Sequence, residues 1–143
     1  MKRIIRMVLP LLAVATAIGF NAPAATAHTD ICSGQFEMIP NTGLGLPTNP
    51  VSTPFTMRQT AGICGNGTIF TAAGTLNGGC ALANGSGTTN TGHTFQFQLV
   101  GSDMVFTGQV VGKLNVIADP TQGSCADGTA LRFFMTGALL LTP

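Results

Sequence analysis

The chain has 143 residues, 8% of them charged, a formal net charge of +1, four cysteines, nine phenylalanines and no tryptophan or tyrosine. That length suits a single domain, and so few cations exclude the basic patch that a nucleic-acid partner needs. Without indole or phenol rings, sugar recognition by ring stacking is also disfavoured.

Residues 1–27 read as a secretory signal peptide of bacterial type. Lys2, Arg3 and Arg6 form a basic start, Met7–Phe20 is an apolar run too short for a membrane span, and Ala25-Thr26-Ala27 is a small-x-small cleavage site. Cleavage there leaves 28–143 as a single secreted domain with no transmembrane span. Three of the six basic residues leave with the leader. Arg58, Lys113 and Arg132 then face Asp30, Glu37, Asp103, Asp119 and Asp127, a net charge of −2 with the histidines neutral.

Ile31–Ile39 predicts a first strand. Pro40–Pro54 carries four prolines among Gly, Asn and Thr and predicts an extended loop. Phe55–Ile63 predicts a second strand and Asn66-Gly67 a turn. A third strand is expected over Thr68–Leu76, a hairpin turn at Asn77-Gly78 and a short return strand over Cys80–Ala83. Asn84–Gly92 has no apolar residue and predicts an exposed loop.

Thr94–Gln109 is the clearest element. Phe95, Phe97 and Leu99 alternate with Thr94, Gln96 and Gln98, the period of a half-buried strand. Gly101-Ser102 suits a two-residue turn whose first position needs a positive φ. That turn sets Leu99 against Met104, Phe97 against Phe106 and Phe95 against Gly108, all on one face. A slip of one residue would exchange phenylalanines for glutamines, so the register is strongly specified.

The even-numbered apolar face continues through Val110, Leu114, Val116 and Ala118, which predicts one long bent strand from Met104 to Ala118 with bends at Gly108 and Gly112. A separate strand from Lys113 is the alternative. Asp119–Gly128 predicts a loop. Thr129–Leu141 predicts the last strand, with Leu131, Phe133, Met135, Leu139 and Leu141 on one face. Seven or eight antiparallel strands joined by turns make an all-β domain, either a small barrel or a two-sheet sandwich.

Cys32, Cys64, Cys80 and Cys125 all lie in the exported part, and four cysteines there predict two disulfides. In an up-and-down meander Cys32 and Cys64 fall at one end. Cys80 and Cys125 share the other end if the 104–118 stretch breaks into two strands. The expected bridges are therefore Cys32–Cys64 and Cys80–Cys125. No pair has the C-x-x-C spacing of a metal site.

The chemistry-bearing residues are sparse. His93 flanks a polar loop. Asp103, Asp119 and Asp127 sit in turn signals, and Glu37, inside a strand, is expected to face water. No phosphate loop, dinucleotide fingerprint, calcium loop or zinc motif is present. The sequence thus points to no catalytic residue, cofactor or metal.

In size and composition the chain resembles the neocarzinostatin-like chromophore carriers and the subtilisin-inhibitor family, both secreted and all-β. Its cysteine gaps of 32, 16 and 45 residues do not form the two short disulfide loops of the first, and it has no reactive-loop motif of the second. No residue role is carried over.

Three functions fit. The first is a non-catalytic extracellular or cell-envelope domain with a binding or structural role. Its partner would be a protein, an apolar ligand or a second copy docking on an outer patch of Val105, Val111, Phe134 and Leu140. The second is an apolar-ligand carrier with a pocket lined by Phe95, Phe97, Phe106 and Phe133. The third is an enzyme inhibitor acting through Pro40–Pro54 or Asn84–Gly92.

Overall fold

The computed structural model describes residues 29–46 and 48–143. The expected leader and its cleavage site lie outside the described residues. Eight strands follow one another there: β1 Asp30–Pro40, β2 Val51–Ala61, β3 Thr71–Gly78, β4 Leu82–Thr89, β5 Thr94–Val100, β6 Asp103–Gly108, β7 Val110–Ala118 and β8 Phe133–Leu141. Each pairs antiparallel with the next, and β8 pairs back onto β1. The sheet closes into a barrel, which leaves no edge strand and decides against a sandwich. No helix among the described residues is long and apolar enough to cross a membrane.

The hairpin β5–β6 has the register its sequence specifies: Leu99 opposite Met104, Phe97 opposite Phe106 and Phe95 opposite Gly108. Gly101 turns the chain at φ +65°. The stretch 104–118 does not run on as one strand. It folds back after Gly108, at φ +103°, so that Met104 faces Leu114 and Phe106 faces Gly112. Even-numbered residues pair with even-numbered residues across this hairpin, so unbroken parity is common to a bend and a reversal.

The largest departure is β4. Its residues Asn84–Thr89, expected in a loop, form strand. Gly85 faces Phe97 and Gly87 faces Phe95. A Cβ on Gly85 would stand 2.6 Å from the Phe97 ring, and one on Gly87 2.7 Å from the Phe95 ring. Phenylalanines of β5 thus fill the interior that β4 leaves bare. The β3–β4 reversal accordingly falls at 79–81, two residues beyond Asn77-Gly78, which lie inside β3. The third strand starts later than expected, and the last strand starts at Phe133, with Leu131 exposed in the preceding segment.

Glycines and large apolar residues interleave around the interior. One ring of paired positions runs Leu76, Gly85, Phe97, Phe106, Gly112, Leu139, Cys32. Phe55 and Phe97 meet edge to face with centroids 5.6 Å apart, as do Phe36 and Phe70. The loop 41–50 closes one end. Leu44 is buried, its N–H donates to Ala130 O at 2.8 Å, and Ala130 N–H donates back to Leu44 O at 3.2 Å.

Both disulfides have the expected partners, Cys32–Cys64 and Cys80–Cys125. Cys32 and Cys64 are buried at the end opposite the Leu44 cap. Cys80 and Cys125 are half-buried at the capped end, where Cys80 N–H also donates to Gly45 O at 2.8 Å.

Candidate functional site

Phe95, Phe97, Phe106 and Phe133 are all buried among the core residues. Phe97 and Phe133, with Leu44 and Met38, border a void of about 10 Å³. That is barely the volume one water molecule needs. Phe95 and Phe106 pack on each other with centroids 5.4 Å apart.

Among the described residues, Arg58, Lys113 and Arg132 pair with Glu37, Asp103 and Asp119, while Asp30 and Asp127 form no ion pair. Glu37 does not face open water. It lies on the outer wall directly opposite Arg58, whose guanidinium donates to Oε2 at 2.9 Å, while Arg132 Nε donates to Oε1 at 2.9 Å. Two guanidinium groups thus cover the carboxylate and leave it 6% exposed. Arg132 also stacks over the Phe134 ring at 4.8 Å and reaches Asp119 Oδ2 at 3.5 Å. Lys113 and Asp103 approach to 4.0 Å.

Asp119 closes a turn, accepting from Thr121 N at 2.9 Å and from Thr121 Oγ1 at 2.7 Å. These bonds, backbone first, hold its carboxyl below the ordinary 3.8; burial opposes the shift and Arg132 supports it. His93 Nδ1 lies 2.7 Å from Thr91 Oγ1, within the turn joining β4 and β5. Thr89 Oγ1 accepts from the main chain of Thr91 and His93 in the same turn, so this cluster is a turn network. Asp30, Cys32 and Cys64 also come together, but both sulfurs are bonded to each other and offer no thiolate to a metal.

The proposed docking residues do not form one patch. Phe134 lies beside Glu37 and Ile117, whereas Leu140 and Val111 line up with Ile31. Phe134 and Leu140 are six residues apart on β8, roughly 20 Å along a strand. Val105 sits between Gln98 and Lys113.

Two concavities lie on the outer wall. One, about 530 Å³, lies across β3, β4, β5 and β6; the polar side chains Thr75, Asn77, Asn84, Ser86, Gln96 and Gln98 line it, with Thr107 and the exposed Val105 at its β6 side. A second, about 540 Å³, shares Thr75, Ser86 and Gln96 with it, so the two make one continuous groove. Alternation dictates this wall: Phe95, Phe97 and Leu99 point inward, so Gln96 and Gln98 point out. Gln96 and Gln98 were legible as the outer face. Asn84 and Ser86 were missed because β4 reads as a loop.

Comparison of the chain with protein families, with curated proteins and with solved structures gave no match. The groove therefore has to be read from its own chemistry. It presents mainly hydroxyls and amides with one exposed aliphatic side chain, Val105, and no charge or exposed aromatic ring.

Proposed function

We propose that the protein is exported, loses its leader, and works outside the cytoplasm as a non-catalytic β-barrel domain that meets its partners with its outer wall. The basic, apolar and small-residue pattern of 1–27 supports export. Two disulfides and no free cysteine suit an oxidising compartment.

The observation that carries the reading is the packing of the interior, where about 10 Å³ is left between Leu44, Phe97 and Phe133. A barrel that carries a small molecule encloses a chamber of several hundred Å³. This barrel instead places its concave surface outside. His93, Asp119 and Asp127 sit in turns and Glu37 and Asp103 in ion pairs, which supports a role without turnover.

Titration of the folded protein with a fluorescent apolar probe tests the choice between wall and interior. The reading predicts no saturable binding. Saturable one-to-one uptake of the probe would replace it with the carrier reading.

A further inference from the structure

Resting on the outer wall as the working surface, we propose that the groove across β3, β4 and β5 binds an uncharged, hydroxyl-rich glycan chain. Six side chains form two parallel rows. Asn77, Asn84 and Gln98 are paired across the three strands, and Thr75, Ser86 and Gln96 are paired in the next outward row. All six are exposed and line the same groove of about 530 Å³. None of the six side chains hydrogen-bonds another group among the described residues, whereas Thr89, Thr91, Thr94 and Gln109 nearby do. The rows therefore present an ordered set of unused donors and acceptors.

Strand geometry spaces them. Neighbours in a row stand about 4.8 Å apart, and the rows about 6.8 Å apart. Each amide offers two N–H donors and a carbonyl acceptor, and each hydroxyl offers both roles. Sugar hydroxyls, dense, neutral and both donating and accepting, match such an array.

The alternatives match less well. A charged ligand meets no counter-charge in the groove, because Arg58 is held by Glu37 and Lys113 lies beside Asp103. A protein interface is usually anchored by aromatic residues or arginine. The groove offers neither as an exposed side chain: Phe97 is 2% exposed and serves only as its floor. With no ring to stack on, each sugar is held by hydrogen bonds alone. A short oligosaccharide then binds weakly, with Kd on the order of 1 mM, and a polymer that can engage many copies binds through avidity.

The test is a chemical-shift titration of the processed, oxidised protein with hexasaccharides. Neutral β-1,4-glucan, chitin-type, α-1,4-glucan and mannan hexamers are compared with an oligogalacturonate of equal length. At roughly 10 mM sugar, at least one neutral hexamer is expected to shift amides of β3–β5, with little effect from the acidic one. Gln96→Ala combined with Gln98→Ala is expected to weaken that binding at least 5-fold, while Asn115→Ala, exposed on β7, leaves it unchanged. No shift with any neutral hexamer, equal response to the acidic one, shifts mapping elsewhere, or insensitivity to the double variant would each overturn the proposal. So would a protein partner that protects this groove while the sugars do not. None of these results bears on whether the interior takes up an apolar probe, the result that would replace the outer-wall reading.

Discussion

Gly87 lies against the rim of the Phe95 ring, and the fit leaves no room for a methyl group. A Cβ there would meet Phe95 Cζ at 2.7 Å and the Ala73 carbonyl oxygen at 2.9 Å. Gly87→Ala is therefore expected to cost about 1–3 kcal/mol, the usual penalty for overpacking a core. Ser86→Ala next to it faces outward and should stay within about 0.5 kcal/mol. Chemical denaturation of the two variants measures both, and equal costs would show that the wall is loose at β4. The same contact explains what the sequence hid. Phe95 and Phe97 announce their own strand by alternation, but the partner they cover is a run of small and polar residues whose pattern carries no core signal. The outer groove depends on that run, so Asn84 and Ser86 could not be placed in it before the strand was seen.

Asp119 ties pH to stability at the capped end. Its bonds from Thr121 keep the carboxyl below its ordinary value, so the folded state favours the ionised form. A depressed acid contributes its full stabilisation above the unfolded pKa, about 3.9, and loses it as pH falls through the lower, folded value. The stability difference between the native chain and Asp119→Asn should accordingly be largest above about pH 4 and shrink in more acidic solution. Denaturation midpoints across that range check it, and a difference that grows as acid is added would contradict the assignment.

At the scale of elements, the two disulfides do different work. Cys32–Cys64 is sealed among buried residues, whereas Cys80–Cys125 clips the half-exposed loops that hold Leu44 over the barrel end. Thiol exchange needs access to a sulfur. Stepwise reduction should therefore release the thiols of Cys80 and Cys125 first, and the amides of Leu44 and Ala130 should lose hydrogen-exchange protection at that step. Mass mapping of trapped thiols reads the order. Release of Cys32 and Cys64 first would contradict this account of the cap. Strand parity alone set Cys32 beside Cys64, whereas Cys80 meets Cys125 only because 104–118 reverses. Parity alone could not show the reversal, because the hairpin sets Met104 against Leu114 and Phe106 against Gly112 and so keeps every apolar residue in phase.

At the scale of the molecule, closure and filling go together. Eight strands make a barrel whose interior side chains can just fill, and here rings from β5 and β6 meet glycines from β4 and β7. The all-β class and the disulfides were legible because alternation, turn residues and cysteine number are local properties. Barrel closure was not, since it depends on β8 returning to β1, a pairing across the whole domain. The ion pairs of Glu37 were hidden for the same reason: Arg132 comes to it from 95 residues away.

The central claim is that an exported, oxidised barrel holds nothing inside and acts through its outside. Native mass spectrometry of the protein recovered from outside the producing cells tests it most directly. The account predicts the mass of residues 28–143 less the four hydrogens of two disulfides, with no apolar molecule bound. A full-length chain, a mass with free thiols, or one apolar molecule per chain would contradict it.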